Sequence, residues 1–421
     1  MKYFGTDGIR GKVNKKLTVD IAFKVGKALK VFDCKTMVIG CDTRDSNVML
    51  VSAVIAGAQS MGIDVYNVFV ATTPQIIYYS YLKNIIGVII TASHNPYYDN
   101  GIKIVYKGKK LNSDVEKEIE DIIDKDDFNY CNYGKLLNCL DFESCYLTRF
   151  KDLKTDLKIG IDCSNGASYD IASKIFTDAM IIGNNPNGKN INLDVGCLNI
   201  KHLKDYVVLN KLDIGFSFDG DADRLIVVDN EGRIYDGDDL AYIFSRYLKD
   251  IGKLNKNSIA LTIMSNKGLV DKLNEIGISV IETPVGDKNL IKACEEFDLS
   301  LGSEVSGHII FNDLYCCGDG LLNAYYLIKV LDYYNKPLKE LVDYNKYYVV
   351  EKNININKIN KTIAEIDNFI SHYESKIIVR KSGTEDLLRI YVSDKDEVVM
   401  NLILSELMFY LGVINEWIRK N

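Results

Sequence analysis

A serine that follows an apolar run opens a polar stretch able to do chemistry. Residues 85–90 (IIGVII) predict a buried parallel strand. Residues 91–96 (TASHNP) and 100–103 (NGIK) come next and are typical of an ordered polar turn. Because α/β proteins place chemistry at the carboxyl ends of parallel strands, Ser93 is a candidate site residue. The alternative is that Ser93 and Asn95 only hydrogen-bond within their own turn.

Three aspartates follow a second predicted strand, residues 213–218. They are Asp219, Asp221 and Asp223, and carboxylates this close repel one another unless they hold a cation. An EF-hand loop would need Gly at position six and Glu at position twelve, where this chain has Arg224 and Asn230. A haloacid-dehalogenase-type phosphotransferase with Asp219 as nucleophile is the closer alternative, but that class favours Thr or Val at the third Asp. We therefore interpret the cluster as a metal site.

Two later stretches carry groups that suit hydroxyl and phosphate ligands. Residues 302–308 (GSEVSGH) place Glu304 and Ser306 two apart on an extended loop, so that both can hydrogen-bond adjacent sugar hydroxyls. The alternative for this stretch is a surface turn. Residues 380–385 (RKSGTE) combine Arg380 with hydroxyls and a glycine. Small residues let backbone N–H groups approach an anion and Arg clamps it with two hydrogen bonds, which predicts a phosphate site.

The elements that position these stretches alternate between strand-like and helix-like, which predicts an α/β fold with mainly parallel sheets. The predicted strands are residues 36–40, 64–70, 85–90, 157–162, 213–218, 258–263, 376–380 and 388–392. The predicted helices are residues 48–61, 112–127, 238–249, 320–334 and 394–411, with a loop at 126–143. We expect four domains at residues 1–145, 146–237, 238–342 and 343–421, so that each carries one of the four polar stretches.

Composition excludes several classes of protein. The chain has 421 residues, 47% hydrophobic and 26% charged, which predicts a globular protein with more than one core. A net charge of −7 counts against nucleic acid as the main partner. The first residues contain no apolar signal segment and no apolar run approaches the length of a membrane span, so we expect neither secretion nor a membrane partner. Ten cysteines without a C-x-x-C pair predict reduced thiols and a cytoplasmic location.

All four polar stretches resemble motifs of one enzyme family, the α-D-phosphohexomutases. Residues 91–103 resemble its phosphoserine loop, and residues 219–224 (DGDADR) resemble its metal loop at every position. Residues 302–308 resemble its sugar-binding loop, with Ser303 as a departure, and residues 380–385 resemble its terminal phosphate loop, with Asp386 in place of proline. Other stretches are most similar to the phosphoglucosamine mutase branch, namely residues 2–11, 40–44, 187–192 and 285–288.

The resemblance implies two phosphoryl transfers through Ser93. Phospho-Ser93 would donate to a hexosamine phosphate, giving a 1,6-bisphosphate that reorients and returns its other phosphate. Lys103 and Arg10 would stabilise the transferred group, while His94 would either shuttle a proton or brace the loop. The implied cofactors are Mg²⁺ and a hexose 1,6-bisphosphate primer. The implied metal ligands are a phosphate oxygen on Ser93 and the carboxylates of Asp219, Asp221 and Asp223.

The resemblance also implies substrate contacts and an architecture. The implied sugar-binding residues are Gly302, Glu304, Ser306, His308, Arg224 and Lys288. The residues implied to hold the phosphate that is not reacting are Arg380, Ser382, Gly383, Thr384 and Arg389. Three α/β domains with mixed or parallel sheets and a smaller C-terminal α+β domain would surround one central cleft, so that both ends of the sugar can be reached.

The reaction and the partners keep alternatives open. Within the family, the substrate would be glucosamine phosphate, supplying UDP-N-acetylglucosamine and cell-wall precursors, or else glucose or mannose phosphate. Outside it stand a sugar phosphatase or kinase-like transferase that uses Asp219, and a sugar-phosphate-binding regulator without catalysis. The resemblance also suggests an activating kinase or autophosphorylation as the source of the first phosphoryl group on Ser93. It further suggests a homodimer.

Overall fold

The computed structural model describes residues 2–5, 7–125, 132–151, 153–312, 317–359, 361–381 and 386–413. They fall into two compact units, the first made of Met1–Met264 with Ser279–Val342 and the second of Ser265–Ile278 with Asp343–Asn421. None of the helices in these ranges combines the length and apolarity needed to cross a membrane. Short 3-10 helices occur at Leu29–Val31, Thr148–Phe150, Asn255–Asn257, Leu338–Glu340 and Ile356–Lys358.

The first sheet has eight strands in a mixed arrangement. Its strands are β1 (Phe4–Gly5), β2 (Gly8–Lys12), β3 (Thr36–Cys41), β4 (Asp64–Val70), β5 (Ile86–Ile90), β6 (Asp99–Tyr106), β7 (Lys109–Lys110) and β8 (Leu136–Leu137). Its helices are α1 (Val19–Ala28), α2 (Asn47–Ser60), α3 (Thr73–Lys83) and α4 (Ser113–Lys125). The order is β1-β2-β6-β5-β3-β4-β8, with β7 paired to β6. β4, β3 and β5 are parallel, whereas β6 and β2 are antiparallel.

The strand that leads to Ser93 is covered on both faces. Ile86, Val88 and Ile90 of β5 belong to the core that also contains α1 and α2. On the other face α3 lies so close that a Cβ on Gly87 would come within 3.1 Å of the Ser80 Cβ. This burial explains the uninterrupted apolar sequence of β5. The strand is parallel to β3 as predicted, but its other neighbour, β6, is antiparallel.

One sequence prediction for this region is wrong. Residues 100–103 were expected in the turn after Ser93, but β6 begins at Asp99, so Asn100, Gly101 and Lys103 lie on a strand. The backbone of this strand pairs with β2 on one side and β5 on the other, and that pairing outweighs the turn preference of Asn-Gly. The predicted loop at 126–143 contains β8, and residues 126–131 lie outside the described ranges.

The second sheet has five strands in the order β10-β9-β11-β12-β13. Its strands are β9 (Ile159–Asp162), β10 (Met180–Ile182), β11 (Ile214–Phe218), β12 (Leu225–Asp229) and β13 (Ile234–Tyr235). The helices of this region are α5 (Phe142–Leu147), α6 (Ile171–Ile175) and α7 (Lys201–Leu209). β10, β9 and β11 are parallel, and β12 and β13 are antiparallel to their neighbours.

The third sheet is smaller. Along the chain, residues 236–342 form α8 (Gly237–Asp250), β14 (Ser258–Thr262), α9 (Lys267–Glu275), β15 (Ser279–Thr283), α10 (Asp287–Phe297), β16 (Leu301–Ser303), β17 (Ile309–Phe311) and α11 (Gly320–Tyr334). The sheet order is β15-β14-β16-β17, with only β17 antiparallel. All of these elements except α9 belong to the first unit.

The second unit contains α9 and an antiparallel sheet in the order β18-β20-β19. Its other elements are β18 (Tyr348–Asn355), α12 (Ile363–Ile370), β19 (Lys376–Lys381), β20 (Leu387–Asp394) and α13 (Glu397–Tyr410). Its core contains Ile366 of α12, Leu388 and Ile390 of β20, and Leu404 and Leu407 of α13. Three α/β sheets followed by a small C-terminal α+β unit agree with the predicted fold class.

The three α/β sheets hold their polar stretches at the same topological position. β5, β11 and β16 each have a parallel neighbour on one side and an antiparallel neighbour, β6, β12 or β17, on the other. The polar stretches connect each strand to its antiparallel neighbour, at residues 91–98, 219–224 and 304–308. Since the two flanking strands are hydrogen-bonded to each other, each connection is anchored at both ends.

Candidate active site

Ser93 is buried and its hydroxyl points at the aspartate cluster. Its Oγ donates a hydrogen bond to Asp219 Oδ2 at 2.6 Å, across a sequence separation that no local pattern predicts. Its backbone has φ +52°, a left-handed conformation that non-glycine residues rarely adopt, and its N–H donates to Thr91 Oγ1 at 2.9 Å. His94 Nδ1 lies 3.4 Å from Ser93 Oγ. The strained turn therefore aims the hydroxyl away from its own loop, against the purely local role considered for Ser93.

A buried arginine fixes the shape of the serine loop. Arg44 Nη2 donates to the carbonyl oxygens of Ser93 and Asn95, each at 2.9 Å, and Nη1 donates to the carbonyl oxygen of Asp99 at 3.0 Å. Its Nε donates to Asp42 Oδ2 at 2.8 Å, and neither side chain of this ion pair is exposed. A planar cation that gathers several carbonyl oxygens holds the backbone of the loop in one conformation.

Two connections that follow strands β10 and β11 of the second sheet also contact the serine loop. Asn192 Nδ2 donates to the Ser93 carbonyl oxygen at 2.9 Å. Gly220 lies so close that a Cβ there would come within 2.5 Å of the same oxygen, so this position needs glycine. These contacts place the metal-loop candidate against the serine loop.

The three aspartates form a buried cluster that fits a cation. Candidate ligand atoms of Asp219, Asp221 and Asp223 all lie within 4.8 Å of one another. Asp221 Oδ1 and Asp223 Oδ1 are buried without a hydrogen-bond partner, which is costly for a carboxylate unless a cation binds it. Burial, with the neighbouring charges of Asp223 and Asp221, raises the pKa of Asp219 well above its usual value. Burial would also raise the pKa of Asp223, but the nearby Lys103 and His308 lower it well below the usual value.

Lys103 lies in the middle of the carboxylates. Its Nζ contacts Asp221 Oδ2 at 2.8 Å, Asp223 Oδ2 at 3.4 Å and Asp7 Oδ2 at 2.9 Å. Burial would lower the pKa of this lysine, but the carboxylates raise it well above its ordinary value, so Lys103 is a cation in the site. Thr73 Oγ1 donates a hydrogen bond to the same oxygen, Asp221 Oδ2, at 2.6 Å.

Arg10 and His94 lie at the edge of this charge cluster. Arg10 forms an ion pair with Asp7, whose charge raises the arginine pKa although burial would lower it. Burial, together with the positive charges of Arg224 and Arg10, lowers the pKa of His94 to about 4. His94 is therefore neutral near neutral pH.

The predicted sugar-binding turn adjoins the cluster through His308. His308 Nδ1 lies 3.7 Å from Asp223 Oδ1, and its Nε2 is buried without a hydrogen-bond partner. Glu304 Oε1 accepts from the Gly286 N–H at 2.9 Å, and Ser306 Oγ donates to Glu304 Oε2 at 3.3 Å. Arg224 Nε lies 3.9 Å from Asp223 Oδ1. The turn thus presents a carboxylate, a hydroxyl and an imidazole next to the metal-loop candidate.

Two residues implied as sugar contacts have other partners. Gly302 lies within strand β16, where a Cβ would come within 2.9 Å of Cys294 Sγ on α10, so it is a packing position rather than a loop position. Lys288 forms an ion pair with the buried carboxylate of Glu116 on α4. The resemblance implies both as sugar contacts, whereas in the structure strand pairing involves Gly302 and an ion pair with Glu116 involves Lys288.

The predicted terminal phosphate site is only partly within the described ranges. Arg380 on β19 and Arg389 on β20 are directly opposite each other in the antiparallel register. Two positive charges at such a position repel each other unless negative charge lies near them. Ser382, Gly383 and Thr384 lie outside the described residues.

Several site residues were not predicted as such. Asp7, Arg44, Thr73 and Asn192 each contact Ser93, Lys103 or Asp221 as described above. Arg44 and Asn192 lie in stretches that the sequence marks only by their similarity to one branch. The scarcity of arginine in this chain is the one further signal that could have pointed to Arg44. Thr73 opens helix α3 and carried no motif.

Comparisons with known proteins agree with this geometry. Residues 1–130, 142–232 and 236–347 match the family models for domains I, II and III of phosphoglucomutase/phosphomannomutase, each described as alpha/beta/alpha. A phosphoglucosamine mutase from Finegoldia magna is 38% identical over 94% of this chain and 95% of its own length. One from Geobacillus thermodenitrificans is 37% identical over 92% and 93%.

Solved structures share the fold at low identity. A phosphoglucomutase/phosphomannomutase family protein from Burkholderia thailandensis has a TM-score of 0.85 at 21% identity, covering 98% of this chain and 97% of that one. Aspergillus fumigatus N-acetylphosphoglucosamine mutase, solved with GlcNAc-6P and magnesium, has a TM-score of 0.67 at 16% identity, covering 97% and 95%. Because the three family models together match most of the chain and a relative at 38% identity spans nearly all of it, the chain belongs to the phosphoglucomutase/phosphomannomutase family.

Proposed function

We propose that this chain is an intramolecular phosphotransferase that interconverts glucosamine 6-phosphate and glucosamine 1-phosphate. The observation that carries the proposal is the Ser93 Oγ hydrogen bond to Asp219, beside two further carboxylates and the Lys103 ammonium. A hydroxyl in that setting is suited to carry a phosphoryl group whose charge is balanced nearby. The choice of an amino sugar is supported by the names of relatives at 37–38% identity.

Phospho-Ser93 would transfer its phosphoryl group to a sugar hydroxyl. A bond forms between the sugar oxygen and phosphorus while the bond between phosphorus and Ser93 Oγ breaks. The sugar hydroxyl loses its proton and the departing Ser93 Oγ gains one. We assign this transfer to His94, because its Nδ1 lies 3.4 Å from Ser93 Oγ and its lowered pKa of about 4 leaves it neutral between transfers. Lys103 and Arg10 stabilise the charge on the transferred group. The bisphosphate then reorients, and its other phosphate returns to Ser93.

The carboxylate cluster fits a divalent cation, and we propose Mg²⁺. Asp219, Asp221, Asp223 and a phosphate oxygen on Ser93 would hold it, since oxygen ligands suit this ion. When bound, it neutralises the phosphate oxygens and polarises the phosphorus. A hexose 1,6-bisphosphate would supply the first phosphoryl group, consistent with a solved structure of the Aspergillus fumigatus relative in complex with glucose 1,6-bisphosphate (TM-score 0.64).

We propose that Glu304 and Ser306 bind the sugar hydroxyls and that His308 and Arg224 complete this contact. Gly302 and Lys288 would support the turn from their packed and ion-paired positions. The phosphate that is not reacting would bind at Arg380 and Arg389, together with Ser382, Gly383 and Thr384. We further propose that each of the four segments 1–145, 146–237, 238–342 and 343–421 is a domain.

The test compares kcat/KM on glucosamine 1-phosphate with kcat/KM on glucose 1-phosphate and mannose 1-phosphate, with Mg²⁺ and a trace of hexose 1,6-bisphosphate. We expect a strong preference for the amino sugar. Ser93→Ala should lower kcat by several orders of magnitude, because the carrier oxygen is gone. The matched control is Ser52→Ala, at an exposed helical serine, which should keep wild-type activity.

A preference for glucose or mannose phosphate would keep the mechanism and overturn the amino-sugar assignment. Undiminished turnover by Ser93→Ala would overturn the mechanism and favour direct chemistry at Asp219. Mass spectrometry of the wild type after incubation with the bisphosphate should locate one phosphoryl group on Ser93.

A further inference from the structure

A ring of acidic and basic side chains joins segments from all three α/β regions of the first unit. Its members are Asp7, Lys103, Asp223, His308, Asp287 and Lys110. On one side, Lys103 Nζ lies 2.9 Å from Asp7 Oδ2 and 3.4 Å from Asp223 Oδ2. Two ring members, Lys110 and Asp287, have no role assigned above, although Asp287 lies in the stretch 285–288 that resembles one branch of the family.

The other side of the ring closes through these two residues. Lys110 Nζ lies 2.7 Å from Asp7 Oδ1 and forms a second ion pair with Asp287 Oδ2. Asp287 Oδ2 in turn lies 3.8 Å from His308 Nε2, and His308 Nδ1 lies 3.7 Å from Asp223 Oδ1. The side chains of Lys110 and Asp287 are only 12% and 11% exposed, so water screens this part of the ring weakly.

The position of Lys110 bears on where Lys103 lies. Asp7 competes with Asp221 and Asp223 for the ammonium of Lys103, because all three carboxylates lie within 3.4 Å of it. Lys110 binds the other oxygen of Asp7 and shares its charge. Without Lys110, Asp7 would attract Lys103 more strongly and draw it away from the phosphoryl-transfer site.

Asp287 acts at the opposite end of the same chain of contacts. It is the first residue of α10, on the third sheet, while Lys110 is on β7 of the first sheet. Their ion pair joins two sheets, and through His308 it reaches Asp223 of the second. The ring closes only when these three segments occupy this relative position.

We propose that Lys110 and Asp287 are positioning residues for phosphoryl transfer, which through Asp7 and His308 hold Lys103 and Asp223 in place around Ser93. This inference rests on the proposed mutase function. Neither residue needs to touch the sugar, so their loss should affect the chemical step more than substrate binding.

The test is Lys110→Met, which keeps the length of the side chain and removes its charge. We expect kcat to fall by about 10²-fold, with KM for the sugar phosphate changed by less than about threefold, since a small displacement of a catalytic group costs this much. Lys110→Arg keeps the charge and should recover most of the lost kcat. If the charge of Lys110 served folding alone, its removal would lower stability and leave kcat per folded molecule unchanged.

The chain offers a matched control one residue away. Lys109, also on β7, forms an ion pair with Glu295, also on α10, at 2.7 Å, but the side chains are 69% and 42% exposed and lie outside the ring. Lys109→Met makes the same substitution between the same two elements and should leave kcat unchanged. Equal losses of kcat in Lys109→Met and Lys110→Met would overturn the proposal.

Asp287→Asn is a second variant of unchanged volume, in case Lys110→Met does not fold. It should lower kcat in the same way, and wild-type kcat in this variant would also overturn the proposal. A wild-type chain without turnover on any sugar phosphate would instead refute the proposed function. The ring is then still tested by thermal unfolding of Lys110→Met, Asp287→Asn and the double variant. If the two residues are coupled, the Tm loss of the double variant is smaller than the sum of the single losses. Additive losses exclude the network.

Discussion

At the scale of residues, the site brings together buried charges, each of which would destabilise the folded protein if it stood alone. Asp219 and Asp223 stand four residues apart on one turn and are both buried, yet their environments push their pKa values in opposite directions. Asp219 faces a neutral hydroxyl and two carboxylates, while Asp223 faces Lys103 and His308. In the protein without metal, the charge of Asp219 should therefore lower the free energy of unfolding, whereas the charge of Asp223 should raise it.

We predict that Asp219→Asn stabilises the metal-free protein at about pH 7 to 8, by roughly 1 kcal/mol or more. The folded pKa of Asp219 lies above that of an unfolded carboxyl, so the folded state binds more protons between the two values. The free energy of unfolding thus falls as pH rises through this window, and the full penalty applies above the folded pKa. Asparagine keeps an oxygen for the Ser93 hydroxyl and removes the charge.

Asp223→Asn is the control with the opposite sign. Its folded pKa is depressed, so its contribution to stability is present above the unfolded pKa and is lost as pH falls through the folded one. This variant should be destabilised in the same buffer. Urea unfolding with a chelator present, at neutral pH and at about pH 4 to 5, measures both. Equal shifts of the same sign in the two variants would contradict the assigned environments.

At the scale of elements, each functional connection joins a strand to its antiparallel neighbour, and Arg44 stiffens the first of them. Its guanidinium bonds carbonyl oxygens at both ends of the loop between β5 and β6, so it replaces hydrogen bonds that a regular turn would make within itself. The left-handed backbone of Ser93 depends on such external support.

We predict that Arg44→Met destabilises the protein by about 3–5 kcal/mol, because it leaves Asp42 as an unpaired buried charge. The folded fraction should also lose kcat, since the loop that aims Ser93 is no longer held. Urea unfolding and steady-state kinetics on the same sample measure both effects.

The comparison variant is Lys83→Met, which removes an ion pair with Asp141 whose side chains are 41% and 47% exposed. An exposed pair of this kind contributes less than about 1 kcal/mol. The double variant Arg44→Met with Asp42→Asn should be more stable than Arg44→Met alone, because the uncompensated charge is gone. A cost for Arg44→Met no larger than that for Lys83→Met would show that the buried pair does not organise the loop.

At the scale of the whole molecule, all predicted metal ligands belong to the first unit, whereas Arg380 and Arg389 belong to the second. A ligand stabilises the part of a protein whose folded state forms its site, by about 2.7 kcal/mol at a hundred times the dissociation constant. Multidomain chains do not unfold as one two-state unit, so this effect can be local.

We predict that Mg²⁺ slows amide hydrogen exchange in β5, β6, β11 and β12 and leaves β18 and β20 unchanged. Hydrogen exchange with peptide resolution, with and without Mg²⁺, makes the comparison. Asp221→Asn should lose the protection in the first unit, because it removes a ligand without removing a strand. Equal protection of the second unit would mean that the two units unfold together.

The sequence by itself determined the strongly periodic elements and the residue types of the chemistry. The strands at 64–70 and 213–218 and the helix at 320–334 lie within a residue of their predicted bounds, because short runs rich in β-branched and aromatic residues and clear helix boundaries are local signals. The short strands β7 and β8 and the Asn-Gly start of β6 were not predicted, since their pairing partners, not their own sequence, make them strands.

Only the tertiary structure decided how the motifs meet. The bond between Ser93 and Asp219 joins residues 126 positions apart, and the Lys110–Asp287 pair joins residues 177 apart. Spacing along the chain predicts neighbours within one turn, whereas these contacts depend on the relative position of separate sheets. For the same reason the sequence did not show that Gly302 is a strand residue or that Lys288 pairs with Glu116 of α4. Local chemistry was thus encoded by residue type, and its partners were set by packing.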